Sequence, residues 1–338
     1  MPQYAILGAR FVWNFETFRA AEFLCVPALS LLLVLTACKQ TKRPTIAVVP
    51  ETTAQELWES EHAGAAHGAY ELGWDIYWNG PSREDDLPKQ IQIVNNAIGR
   101  GVNGLVLAPD HAVALISPVR SAIAHGIPTV IVSSPLGTFS NQDVMFVVND
   151  SEAAGHIAAD RAAKYLSTTD AVAVLGVNPN LLGSIQTANS LESSLRIRLP
   201  NVSVVERRST SFSFAEAEET AEEAIRSLPA LRVIVTLNVT QTRAAYSAAL
   251  RTGSLKRIKL IACDQDLDLV FRLRTGEINA IIAQDTRTMG RIAIQMIREK
   301  VVSGRNSPSV IVQPVLVTQE NVDSPEVQDV LDMNWKAH

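Results

Sequence analysis

The chain has 3 cysteines in 338 residues, too few for a disulfide framework. Its 6 histidines are scattered, and no two share a ligand-like spacing on one predicted element; His62 and His67 are five apart. No metal site and no cofactor are therefore expected. There is no GxxxxGKS or GxxxxGKT loop and no GxGxxG after a strand, which excludes the common phosphate and dinucleotide cradles. A GxSxG nucleophile elbow is missing too, and nothing else pairs a nucleophile with a base and an orienting group, so the sequence does not read as an enzyme. Basic residues are neither numerous nor clustered: 30 Lys and Arg against 35 Asp and Glu leave a net charge of −5. Without a basic face the chain is a poor partner for nucleic acid. Nor does any apolar run reach the roughly 20 residues that span a bilayer.

The longest apolar run lies at about residues 23–37 and ends in LVLTACKQT. Its length suits the h-region of a signal peptide, about 7–15 residues. Leu35-Thr36-Ala37-Cys38 resembles the bacterial lipobox. That resemblance implies cleavage before Cys38 and lipid on its thiol, and two acyl chains anchor where one is marginal. Residues 1–37 are thus expected to be a signal peptide and 38–44 a tether. Residues 1–37 contain Arg10, Arg19, Glu16 and Glu22, so the mature chain keeps the charge of −5. Cys25 leaves with the signal, and Cys263, in the apolar run KLIAC, is expected to be a buried inert thiol.

From residue 45 a rhythm begins. Val- and Ile-rich runs stand at 45–50, 75–78, 104–109, 128–133, 169–176, 202–207, 232–238, 258–263 and 278–284. They start roughly one βα unit apart. Most are apolar throughout rather than alternating, as in parallel strands covered on both faces. Residues 55–72, 85–98, 151–166, 214–227, 240–252 and 285–303 carry helical patterns. The rhythm breaks at 136–150, where VMFVV follows a turn-rich stretch with no helix between. The fold expected is α/β, with two doubly wound parallel-sheet lobes joined by a hinge. The first lobe takes residues 44–149 plus 285–308 and the second 150–284 plus 309–330.

Ligands of open α/β sheets sit beyond the carboxyl ends of strands. There the sequence places Trp58, Asp110, Ser133, Ser134, Phe212, Asn238, Asp264 and Gln284. Amides, hydroxyls and carboxylates pair with vicinal hydroxyls, and aromatic faces stack on sugar C–H patches. With no Arg or Lys among these strand-end residues, the expected ligand is small, neutral and polyhydroxylated.

The segments TIAVVP, HGAYELGWDIYW, QIQIVNNAIGRGVNGLVLAP, AHGIPTVIVS, VVNDSEAAGHIAAD, LIACDQDLDLV and INAIIAQDTRTMG, in this order, resemble the type I periplasmic binding proteins, in particular the ribose/galactose-type sugar-binding group. The resemblance covers about residues 44–320. It implies two lobes closing on one sugar, ring-stacking aromatics at Trp58 and Phe212, and hydroxyl-binding side chains at Asn238, Asp264 and Gln284. It departs at Ala108, at Ser133-Ser134 and after strand 171–176, where Ser184 and Gln186 are the nearest polar residues. These departures imply an unusual sugar, a sugar alcohol, a nucleoside-like molecule or a furanone-type signal.

The expected protein is an extracytoplasmic, monomeric solute-binding lipoprotein of an ABC-type importer, docking on a membrane permease. One alternative is a sensor that presents its closed form to a receptor kinase. Another is a sugar-responsive transcriptional regulator lacking a DNA-binding domain, since only 44 residues, apolar ones, precede the first strand.

Overall fold

The computed structural model describes residues 42–137 and 139–333. The expected signal segment and Cys38 lie outside these residues. The elements of the first lobe are β1 (Thr45–Val49), α1 (Leu57–Glu71), β2 (Asp75–Trp78), α2 (Leu87–Gly99), β3 (Gly104–Leu107), α3 (Ile116–Ala124), β4 (Thr129–Ser133) and β5 (Met145–Asn149). The chain then builds α4 (Ser151–Ala163), β6 (Ala171–Val177), α5 (Leu182–Arg198), β7 (Ser203–Arg208), α6 (Phe214–Ser227), β8 (Leu231–Thr236), α7 (Val239–Arg251), β9 (Lys259–Cys263), α8 (Leu267–Arg274) and β10 (Ala280–Ala283). It ends with α9 (Thr286–Ser303), β11 (Val310–Val312), β12 (Val315–Val317) and α10 (Pro325–Leu331).

The strand β1 shows why apolar runs become central strands here. Side chains alternate across a sheet. Ile46 and Val48 enter a core with α1 and α9, while Ala47 and Val49 enter another with α2 and α3. Both faces are dry, so both sets must be apolar. The second lobe repeats the plan. Val172 and Val174 of β6 pack with α4 and α5, and Ala173 and Leu175 pack with α6, α7, α8 and α10.

The first sheet has the order β11-β5-β4-β3-β1-β2, and the second β12-β10-β9-β8-β6-β7. Every pairing is parallel except β12 with β10. The exception follows from the connection. Only Gln313 and Pro314 separate β11 from β12, too short a link for a parallel crossover, so the chain enters the second sheet running away from the hinge. The expected lobe boundary at residue 309 is displaced for a related reason. Val310–Val312 pairs with β5 and completes the first sheet, and the second lobe resumes at Val315.

The chain passes between lobes three times: after β5, after β10 and after β11. The first two passages share a device. Asp150 caps α4 by accepting from the Ala153 N–H at 2.9 Å, and Asp285 caps α9 by accepting from the Thr288 N–H at 2.9 Å. Each cap satisfies a helix-start donor that has no intrahelical partner, so the helix begins where the strand ends. Gln313 ties the third passage to the first, donating to Asp150 Oδ2 at 2.8 Å.

The tightest helix pairs flank these passages. A Cβ built on Gly64 of α1 would lie 1.9 Å from the Arg287 carbonyl oxygen of α9. One built on Gly155 of α4 would lie 2.5 Å from the Thr187 carbonyl oxygen of α5. Among the described residues no helix is long and apolar enough to cross a membrane.

Candidate functional site

The parallel strands of both sheets point their carboxyl ends toward one cavity. From the first lobe it is lined by Glu51, Gln55, Leu57, Trp58, Glu84, Ser133, Ser134 and Asn149, and from the second mainly by Gly176, Asn178, Ser184, Thr187, Phe212, Asn238, Cys263 and Asp264, with Gln284 at the hinge. The space open to the centre of a water molecule is about 100 Å³. That is room for roughly 7–10 waters, the size of a monosaccharide rather than a longer glycan.

The lobes meet over this cavity through specific contacts. Gly183 N–H donates to Ser134 Oγ at 3.2 Å, and Ser133 Oγ donates to Gln284 Oε1 at 3.3 Å. Farther out, Ala112 N–H reaches the Asn180 carbonyl at 2.8 Å and Leu267 N–H reaches Glu56 Oε2 at 3.0 Å. Thr240 of α7 donates to Glu84 at 3.3 Å.

Two strand ends carry unusual backbone. Ser133 has φ 63° and Asp264 has φ 117°, and these are the only non-glycine residues with positive φ among those described. Such conformations cost on the order of 1–3 kcal/mol each and persist where the surroundings over-determine them. One stands in each lobe, and both line the cavity. Nearby, Gly176, one residue before the end of β6, has φ 79°, and a Cβ there would come within 2.5 Å of Gln241 Cγ. Only glycine lets α7 start that close to the strand.

Asn238 both caps α7, accepting from the Gln241 N–H at 2.8 Å, and lines the cavity. Asp264, 9% exposed, accepts a short hydrogen bond from the Gln284 amide. The Gln284 backbone is fixed in turn by the buried Gln265 side chain, which donates to its carbonyl at 2.7 Å and accepts from its N–H at 3.0 Å. Trp58 is 3% exposed, packs in the core under β1 and turns part of its surface to the cavity. Its indole N–H meets no acceptor in the structure described. Phe212 lines the cavity, whereas Phe214 starts α6 and is 46% exposed.

Two expected residues stand off the wall. Gln186 is exposed on α5, because Ser184 and Thr187, one helical turn apart, share the face that meets the cavity. Asp110 is buried beside an acidic loop, and its backbone N–H is held by Gln90 Oε1 at 3.0 Å. Burial, then Asp85, Glu84 and Asp86, push its carboxyl up to about 7.

The electrostatics are acidic. Burial raises Asp264 to about 7, against the lowering effect of its Gln284 hydrogen bond. Burial also holds Glu51 well above the usual carboxylate range, and Asp110, Asp264, Glu84 and Glu61 add to it. Glu84 is raised by burial in spite of hydrogen bonds from Gln55, at 2.5 Å, and Thr240. Cys263 is likewise pushed far up by burial and then by Asp264, so it stays a neutral thiol.

The family model described as "Periplasmic binding protein domain" matches residues 46–305. The chain belongs to this family. Among periplasmic binding proteins it is 24% identical to the D-apiose import binding protein of Paraburkholderia graminis, over 74% of this chain and 78% of that one. It is also 24% identical to the D-ribose/D-allose-binding protein of Pseudomonas aeruginosa, over 78% of this chain and 87% of that one. An ABC transporter solute binding protein from Agrobacterium vitis bound with α-D-tagatopyranose superposes with a TM-score of 0.79 at 20% identity, covering 86% of this chain and 99% of the other. A second from the same organism, with bound D-fucose, gives 0.79 at 24% identity, covering 85% of this chain and 100% of the other.

In this periplasmic binding protein the sequence reading missed Glu51, Gln55, Glu84, Asn149 and Asn178. Glu51 was within reach of the strand-end rule, since it directly follows β1 and Pro50. Glu84 was not, because it sits in SREDD between β2 and α2, which reads as a solvated charged loop.

Proposed function

We propose that the chain is the extracytoplasmic solute-binding component of an ABC-type importer, that it is not an enzyme, and that it holds one monosaccharide-sized polyhydroxylated ligand between its lobes. The observation that carries this reading is the cavity itself, walled by strand ends of both sheets and lined by Trp58 and Phe212 together with Asn238, Asp264, Gln284, Ser133 and Ser134. The two aromatics supply ring-stacking surface, and the amides, hydroxyls and carboxylates supply donors and acceptors for hydroxyl groups. A ligand touching both lobes shifts the population toward the form in which they meet, by its differential affinity for the two arrangements. That form then docks, as a monomer, on a membrane permease.

The relatives named as import-binding and sugar-binding proteins support the sugar reading. The lipobox-like sequence ending at Cys38 supports anchoring of the mature chain by lipid. The test is a thermal-shift screen over sugars, polyols and nucleosides, followed by calorimetry on the hits. A true ligand raises Tm, because binding stabilises the native state by RT ln(1 + [L]/Kd). A screen with no hit would count against the solute-binding reading. Cys38→Ala is expected to move the protein from the membrane fraction to the soluble one, and unchanged membrane retention would sink the lipid anchor.

A further inference from the structure

Among the described residues the cavity lining carries three carboxylates, Glu51, Glu84 and Asp264, and no Lys, Arg or His. Asp264 receives the Gln284 amide, and Glu84 receives Gln55 and Thr240. No described residue gives Glu51 a hydrogen bond or an ion pair, although it stands at the end of a central strand. The guanidinium of Arg243, which acts on Glu84, is spent on Asp266 at 2.5 Å, and neither residue lines the cavity. Asp264 and Glu84 lie close enough to Glu51 to raise its proton affinity, and Glu84 raises that of Asp264. A wall of this kind asks for positive charge. An ionised carboxylate taken out of water is costly unless a cation or several donors meet it. The aromatics point the same way, since the π-faces of Trp and Phe attract an ammonium group.

We infer that the cavity selects a cationic polyhydroxylated ligand, an amino sugar or an amino polyol, over the neutral sugar of the same size. In this arrangement Glu51 takes the ammonium group, Asp264 with Gln284 and Asn238 takes the hydroxyls, and Trp58 and Phe212 cover the ring. The inference rests on the sugar-binding reading above and narrows it. It also revises the neutral ligand expected from the sequence, in which Glu51 and Glu84 had no place.

The test is calorimetric titration of the mature protein at pH 7 with matched pairs: D-glucosamine and D-glucose, D-galactosamine and D-galactose, 1-amino-1-deoxysorbitol and sorbitol. In at least one pair the amine is expected to bind 10-fold or more tightly than its neutral partner, with Glu51→Gln and, separately, Glu84→Gln narrowing that ratio. If members of the pairs bind but in no pair does the amine bind 10-fold or more tightly than its neutral partner, the inference is overturned while the sugar reading stands. If the amine wins but neither variant narrows the ratio, the role of these carboxylates is overturned. If no member of any pair binds, the inference falls; should the wider screen of sugars, polyols and nucleosides also find nothing, the sugar reading falls with it.

Discussion

The two lobes share one plan and bring different chemistry to the cavity. Each is a six-stranded sheet with helices on both faces, each closes a helix pair over a glycine, and each holds one strained strand-end residue at the cleft. The first lobe, however, presents Glu51, Glu84 and an indole rooted in its core. The second presents Asn178, Asn238, Asp264 and a phenyl ring that is only half-buried. The shared plan comes from burial, which is indifferent to what stands at strand ends. The difference comes from those few end positions, which packing leaves free.

The largest effect should come from the second lobe. Asp264→Ala removes a buried acceptor held by Gln284 and is expected to abolish the ligand-induced rise in Tm. Ser133→Ala, its strained counterpart in the first lobe, should weaken binding by no more than about 10-fold, because its hydroxyl makes one hydrogen bond of about 1 kcal/mol. Equal losses at the two positions would break the contrast.

The aromatics sharpen the contrast through a different readout. Trp58→Ala should cost both affinity and about 3–5 kcal/mol of stability, since it opens a cavity in the core under β1. Phe212→Ala should cost affinity with a much smaller change in stability. Chemical denaturation with and without ligand separates the two.

Next come the glycine contacts. Gly64→Ala pushes a methyl group into backbone at 1.9 Å, where no flexible side chain can yield. It is expected to cost about 1–3 kcal/mol, and Gly155→Ala, at 2.5 Å, somewhat less. Thermal melts of the two variants rank them.

The smallest expected effect belongs to Glu61, buried in α1 with both carboxylate oxygens unpartnered. Burial raises it to about 8 from the ordinary 4.5. The folded form therefore binds more protons than the unfolded one between those values, and stability falls as pH rises through that window. Asp110 and Asp264, both at about 7, add to the same slope from pH 4 upward. Glu61→Gln should flatten the curve and gain about 1–2 kcal/mol at pH 8, with little change at pH 5. A variant whose Tm keeps the full fall from pH 5 to pH 8 would show that Glu61 does not contribute.

How legible this was in the sequence depended on periodicity. Strands buried on both faces announce themselves as continuous apolar runs, and six helices showed apolar stripes. The helix Leu182–Arg198 did not, because the face it buries includes Thr187, Ser190 and Ser194 beside Leu191 and Leu195. The strands Val310–Val312 and Val315–Val317 were too short to stand out from their surroundings. At the site, residues directly following apolar runs were readable, Asp264 and Asn238 among them. Glu84 reaches the cavity only through the path of its loop and its bond to Gln55, neither of which leaves a mark on local sequence.

The threefold passage of the chain between lobes also has a consequence for synthesis on the ribosome. The first lobe lacks α9 and its edge strand β11 until the whole of the second lobe from α4 to β10 has been made. The nascent first half therefore waits, with the α9-facing side of its sheet and the glycine face of α1 uncovered. Neither lobe is a continuous stretch that could be cut out, and the protein becomes two bodies only at the moment it becomes one.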